Sequence, residues 1–226
     1  MNWQKYWNNL ALNNSDPFRQ VARTGQKVEF TDELIQRITN HIIQNLEIKP
    51  SDKVLDVCCG NGMLSQVLAA NCKHLTGCDI SEELIKMAQA HFSAENITYL
   101  SGDARQLSTF VKGSFDKINL YFSFQYFDTY QKGFEVIREV KSLIKTDGKI
   151  FIGDVPDYDF LQVFYPSYPA RFKYHIKQRL GKSEMGKFWK EAEMARICER
   201  LNLSYQRMDQ PNDLPYAAYR VDYLLS

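Results

Sequence analysis

The stretch that most constrains this chain is KVLDVCCGNGMLS, from Lys53 to Ser65. Val54, Leu55 and Val57 surround one acid, Asp56. A turn follows, Cys58-Cys59-Gly60-Asn61-Gly62, and then Met63, Leu64, Val67 and Leu68 recur at helical spacing. That order predicts a buried strand, a tight glycine loop and a helix start. Gly60 and Gly62 let the backbone come close to a ligand where a β-carbon would block it. The helix that follows offers free N–H groups and the positive end of its dipole to an anionic group.

The bulk numbers leave one class open. A chain of 226 residues is long enough for one α/β domain with a well-buried core. Its 28 basic and 27 acidic residues nearly balance, so it lacks the overall basic excess that marks a nucleic-acid binder, which does not exclude a local basic patch. No apolar run approaches the roughly 20 residues that span a bilayer, and MNWQKYWNNL has no signal-peptide core. The 5 cysteines include no C-x-x-C pair, which predicts reduced thiols, a cytoplasmic setting and no metal site. Oligomeric state is left open.

Downstream, strand and helix signals alternate. Lys73 to Ile80 reads as a second strand ending in Asp79, about 20 residues beyond the loop, where an acid can accept both hydroxyls of a ribose. Ser81 then caps a helix with Glu82 and Glu83 in its first turn. Asn96 to Leu100 is a third strand leading into Ser101-Gly102-Asp103-Ala104, and Phe115 to Phe122 a fourth. A helix from Gln131 to Lys145, a turn at Thr146-Asp147-Gly148-Lys149 and a fifth strand, Ile150 to Val155, follow. The last helix reads from Phe188 to Leu201. Ser204 to Met208 and Tyr219 to Leu225, with no helix between them, predict an antiparallel pair.

Asp56-x-Cys58-x-Gly60-x-Gly62 resembles the D-x-G-x-G-x-G signature of class I methyltransferases that use S-adenosylmethionine, with Cys58 in place of the first glycine. Asp79, Asp103-Ala104 and the closing strand pair resemble that family in the same order, over about residues 31–226. The resemblance implies a three-layer Rossmann-like α/β fold with a mostly parallel sheet of seven strands and a C-terminal antiparallel hairpin. It implies S-adenosyl-L-methionine as cofactor and S-adenosyl-L-homocysteine as product. Asp56, Cys58, Cys59, Gly60, Gly62, Asp79, Ile80, Asp103, Ala104 and Tyr121 would bind the cofactor, Asp79 at the ribose and Asp103 with Ala104 at the adenine. The (N/D)-P-P-(Y/F) turn of DNA-base and glutamine methylating members is absent after the fourth strand, so no DNA partner is expected; the absence points to a small-molecule acceptor, methylated on oxygen or nitrogen. The alternatives are a non-catalytic module that binds S-adenosylmethionine and another Rossmann-type transferase.

Two regions carry two readings each. In residues 1–30, Trp3, Tyr6, Trp7 and Leu10 fall at helical spacing, and Asp16-Pro17 marks a turn or helix start. The segment either packs on the domain or acts as a lid, with Arg19, Arg23 or Thr24 near the cofactor or acceptor. Residues 157–186 are rich in aromatic side chains, and seven Lys or Arg stand against one acid, Glu184, from Arg171 to Lys190. They form either a solvated helix face or a substrate cap that favours an anionic acceptor through Arg171. A base is needed only if the nucleophile arrives protonated. Asp154 and His175 lead that expectation, with Tyr121 and Tyr126 behind them and Tyr126 at the acceptor. His41, beside an apolar helix face, is expected to be structural.

Overall fold

The computed structural model describes residues 1–22 and 31–226. In chain order the helices and strands are α1 (Trp3–Leu12), α2 (Pro17–Gln20), α3 (Asp32–Leu46), β1 (Lys53–Val57), α4 (Met63–Ala69), β2 (His74–Asp79), α5 (Glu82–His91), β3 (Ile97–Ser101), α6 (Leu107–Phe110), β4 (Phe115–Tyr121), α7 (Tyr130–Leu143), β5 (Ile144–Pro156), α8 (Leu161–Phe164), α9 (Tyr168–Arg179), α10 (Glu191–Arg200), β6 (Tyr205–Asp209) and β7 (Arg220–Leu225). The strands form one sheet in the order β3-β2-β1-β4-β5-β7-β6. The first five run parallel, and β7 is antiparallel to both β5 and β6.

Local chemistry accounts for the helix starts. Thr31, Ser81, Thr129 and Ser167 each accept a backbone N–H with the side-chain oxygen at the head of α3, α5, α7 and α9. Asp16 does the same before Pro17, whose missing N–H is harmless at the first helical position.

Alternation along the strands then divides the core. Leu55, Val57, Ile118, Leu120, Ile150 and Ile152 pack with side chains of α7 and α10 on one face. Val54, Leu75 and Phe151 pack with α3 and α4 on the other. Both faces are covered, which is why these strands read as near-continuous apolar runs. The loops that follow β1, β2, β3 and β4 therefore meet at one end of the sheet.

Two predicted boundaries differ from the structure. Thr146-Asp147-Gly148-Lys149 is not a turn ahead of a strand. It lies within β5, where pairing with β4 jumps from Phe115↔Ile144 to Lys117↔Lys149, so the extra residues bulge out of the ladder. Phe188 and Trp189 do not begin the last helix. Trp189 makes a parallel bridge to Asp157, its indole N–H donates to the Phe124 carbonyl, and both side chains are buried. Asp154, expected as a base, lies at a second bulge in β5, where pairing with β7 skips between Ile152 and Val155. Asp154 adopts φ +59° there, a left-handed conformation. Its N–H donates to Asp222 at 2.8 Å, and its carboxylate and carbonyl both accept from Arg220. Asp222 also accepts from Gln210 at 2.9 Å and lies 2.7 Å from Nε2 of His41, so His41 takes part in the same buried network.

Removing one partner of a buried ion pair strands the other charge. Arg220→Met is expected to cost about 3–5 kcal/mol of unfolding free energy, with Asp154→Asn restoring part of it in the double variant. Urea unfolding of the four proteins checks this; equal losses in the single and double variants would contradict the pairing.

Candidate active site

The loops at the carboxyl ends of β1 to β4 enclose a cavity of about 570 Å³, within the range of small-ligand sites. Its wall includes Asp56, Cys58, Cys59, Gly60, Asp79, Ile80, Asp103, Ala104, Tyr121 and Tyr126. The sheet therefore brings together nearly all the residues singled out along the sequence.

Asp79 is the joint between two of these loops. One carboxylate oxygen accepts the Gly60 N–H at 3.0 Å and the other accepts the Ser81 N–H at 2.8 Å. Each oxygen keeps lone-pair capacity toward the cavity. Burial pushes the Asp79 carboxyl up to about 6, against the pull of these amides. Asp56 is also buried and also pushed up to about 6 by burial, while the Ser65 hydroxyl at 2.5 Å and the Asn119 amide at 2.7 Å favour its ionised form. Asp103 caps the short 3-10 turn that starts at Ala104, and the Arg105 guanidinium forks onto its carboxylate. Burial works upward on Asp103 too, but the Arg105 hydrogen bonds hold it below the usual carboxylate range.

The glycine loop is strained in a specific way. Cys58 at φ +60°, Gly60 at +60° and Gly62 at +86° are all left-handed. Cys58 carries a β-carbon into a conformation that costs about 1–2 kcal/mol outside glycine. Gly62 does not open space for a ligand: a β-carbon there would lie 2.5 Å from the Tyr99 hydroxyl and 3.0 Å from Ala88. It lets α4 and the loop close on β3 and α5. At Gly60 a β-carbon would meet Val21 at 3.0 Å. The thiols of Cys58 and Cys59 are pushed well up by burial and by Asp79 and Asp56, so neither is a thiolate nucleophile.

The roof comes from α1, in the segment for which the sequence left packing and lid readings open. Met1, Trp3 and Trp7 line the cavity. Trp3 and Trp7 sit against Tyr126, with ring centroids 4.5 Å and 5.2 Å apart. Asn8 accepts from the Ser81 hydroxyl at 2.6 Å, and the Asn61 amide donates to the Pro17 carbonyl at 2.9 Å. The N-terminal segment is thus tied to the glycine loop and to the head of α5. Only the spacing of Trp3 and Trp7 was visible beforehand; their partner, Tyr126, was not.

Other expected residues lie elsewhere. Asp154 is buried in the β5 bulge with Arg220 and does not line the cavity. His175 is exposed on α9, beside Tyr158 and Tyr174. Arg171 donates to the Tyr165 and Pro166 carbonyls. Neither His175 nor Arg171 reaches the cavity, and no residue of 157–186 is on its wall among the described residues. Instead the segment buttresses the turn carrying Tyr126: the Lys187 N–H donates to the Gln125 carbonyl, and a β-carbon at Gly186 would strike that oxygen at 2.3 Å. Arg19 pairs with Asp16 at the surface. Arg23 and Thr24 lie outside the described residues. Among the described residues no group of three or more His, Cys, Asp or Glu side chains could hold a metal ion.

Comparison with known proteins agrees with this arrangement. Residues 54–148 match the family model described as a methyltransferase domain. Ubiquinone biosynthesis O-methyltransferase from Aromatoleum aromaticum is 25% identical over 168 residues, covering 70% of each chain. The enzyme of that name from Actinobacillus pleuropneumoniae is 26% identical over 212 residues, covering 89% of this chain and 88% of its own. The Synechocystis magnesium protoporphyrin IX methyltransferase, solved with bound S-adenosylhomocysteine, shares the fold with a TM-score of 0.69 at 18% identity, covering 99% of this chain and 97% of its own. The N-methyltransferase NodS from Bradyrhizobium japonicum, also solved with S-adenosylhomocysteine, superposes with a TM-score of 0.68 at 16% identity, covering 100% and 98%. The sheet order, with β7 reversed beside β5, is the Rossmann-like arrangement that these solved methyltransferases share. Residues 54–148 thus carry a methyltransferase domain, within the Rossmann-like fold of S-adenosylmethionine-dependent methyltransferases.

Two outcomes follow for the loop. Asp79 holds its proton more tightly in the folded chain than at the ordinary 3.8. Relative to Asp79→Asn, the wild type should therefore lose stability as pH rises from about 4 to about 6, by about 2–3 kcal/mol, and hold a constant gap above that. Urea unfolding across that range checks the sign; a flat difference would contradict it. Gly62→Ala should cost more than about 1 kcal/mol, read as a lower unfolding midpoint.

Proposed function

We propose that the protein transfers the methyl group to an oxygen or nitrogen of a small, flat acceptor held beneath the aromatic roof of α1. The observation that carries this reading is the Asp79 carboxylate, fixed by the Gly60 and Ser81 amides with its remaining lone pairs toward the cavity. An ionised carboxylate so placed suits a pair of ribose hydroxyls. The cavity volume admits a nucleoside cofactor and an acceptor side by side. In this reading Asp79 and Ile80 hold the ribose, Asp103 and Ala104 the adenine end, and Asp56, Cys58, Cys59 and Gly60 the amino-acid end near Tyr121. Gly62 shapes the loop from behind.

S-adenosylmethionine supplies an activated methyl on a sulfonium. The chain's own residues bind, orient and exclude water. Holding the nucleophile aligned and close can supply a large part of the acceleration, up to about 7–11 kcal/mol in well-oriented cases. Trp3, Trp7, Tyr126 and Phe127 offer ring faces that suit both a cationic sulfonium and a planar acceptor. The curated relatives' name, ubiquinone biosynthesis O-methyltransferase, fits an oxygen as the acceptor atom.

The cations on the wall, Arg105 and Lys132, already pair with Asp103 and Asp128, so the site does not favour a strongly anionic acceptor. The general base, where one is needed, is drawn from the hydroxyls on the wall, Tyr121 and Tyr126, rather than from Asp154 or His175.

Residues 1–30 act in this proposal as a lid over the 31–226 domain, and 157–186 support the Tyr126 turn from outside. The 5 cysteines are all free, which suits a reducing, cytoplasmic compartment. Among the described residues no helix is long and apolar enough to cross a membrane.

Asp79→Ala should weaken S-adenosylhomocysteine binding at least tenfold, read by calorimetry. Trp7→Ala should raise the KM for a phenolic acceptor at least fivefold while changing cofactor affinity little. An unchanged KM would take the acceptor away from the α1 roof.

A further inference from the structure

Helix α9 has two opposite faces, and the wrong one looks outward for a protein that ends at its own surface. Ala170, Tyr174 and Gln178, spaced by four, turn toward the domain: Tyr174 is buried and its hydroxyl accepts the Phe188 N–H. Tyr168, Phe172, Ile176 and Leu180 are also spaced by four but displaced by two, which puts them on the far side of the helix. They are 74%, 57%, 45% and 62% exposed, so four large apolar side chains stand in a row in solvent. Single exposed apolar residues are ordinary, whereas a contiguous row marks a binding surface.

The charges on the helix itself are of one sign, and one acid from outside it, Asp159, shares a surface hollow with Tyr168, Arg171 and Phe172. From Tyr168 to Ser183 there are five basic residues, Arg171, Lys173, Lys177, Arg179 and Lys182, and no acid. The nearest acids in the sequence, Asp159 and Glu184, stand outside the helix. Among the described residues Lys173, Lys177, Arg179 and Lys182 make no ion pair.

We propose that this face of α9 binds the surface of a bilayer containing anionic phospholipid, with the apolar row at the acyl boundary and the cations at the headgroups. An apolar row flanked by unpaired Lys and Arg is the pattern of a helix lying in the membrane interface. A second copy of the same face would bring five cations against five and is disfavoured by repulsion. A nucleic acid would use the cations but leave the apolar row unpaired. The Met1 nitrogen donates to the Gly181 carbonyl at 2.7 Å, just past the end of α9, and Met1 lines the cavity. The C-terminal end of α9 therefore touches a residue of the cavity wall, although α9 itself is not on that wall.

Flotation of the full-length protein with vesicles tests this without any acceptor or turnover, so its failure leaves methyl transfer untouched. With vesicles of phosphatidylcholine and phosphatidylglycerol the protein should float, and with phosphatidylcholine alone it should float at least tenfold less. Removing one cation should cost about fivefold in vesicle affinity, so Lys173→Glu with Lys177→Glu should abolish most of it. Phe172→Glu with Ile176→Glu should do the same. Both pairs should keep the wild-type unfolding midpoint and S-adenosylhomocysteine affinity. Wild type that floats with neither vesicle overturns the proposal, as do variants that float like wild type. A wild-type dimer that the Phe172/Ile176 pair converts to monomer, with no flotation, would assign the face to a second copy and overturn it equally.

Discussion

The carboxylate of Asp79 holds the site together. It is a charge at the end of a buried strand, and burial alone opposes it. It is tolerated because two backbone amides from different loops converge on it, that of Gly60 after β1 and that of Ser81 before α5. The glycine loop is thereby set relative to the second strand by one side chain. The left-handed turns at Cys58, Gly60 and Gly62 bring the loop back to that carboxylate, and the close approach of Gly62 to Tyr99 keeps α4 tight on the sheet. The cavity is what remains between loops pinned in this way.

A second polar network, which meets the cavity wall where the Gln210 amide donates to the Tyr121 hydroxyl, explains how a mostly parallel sheet accepts a reversed strand. Asp222 on β7 gathers the Asp154 N–H, the Gln210 amide and the His41 ring. Arg220 on the same strand takes the Asp154 carboxylate. These contacts fasten the β5 bulge where the antiparallel ladder skips a residue. Asp154 thus resembles a catalytic acid in its position and differs from one in its surroundings: it is spent on a structural ion pair.

What could be read from the sequence was local, and what could not was long-range. The Ser81 cap, the alternation of strands and helices, and the reversed C-terminal strands each rest on residues a few positions apart, and all appear in the structure. Asp79 and Asp103 were singled out because their place after a strand has chemical meaning, and both line the cavity. Asp154 was misplaced because its partner, Arg220, is 66 residues away. Thr146 to Lys149 has the composition of a turn, and only pairing with β4 shows it to be a bulge. Phe188 and Trp189 continue the apolar period of α10, but the bridge to Asp157 holds Trp189 outside the helix. On α9 the two stripes spaced by four were both present in the sequence. Which one faced outward depended on where Tyr174 found its partner, the Phe188 amide.

The account rests on the cavity being shaped for an adenosyl sulfonium cofactor rather than for a dinucleotide. Isothermal titration calorimetry of the wild-type protein with S-adenosylhomocysteine and, separately, with NAD addresses this directly. The expected result is micromolar, one-to-one binding of S-adenosylhomocysteine and no heat beyond dilution with NAD. Binding of NAD, or of neither ligand by protein shown to be folded, would contradict it.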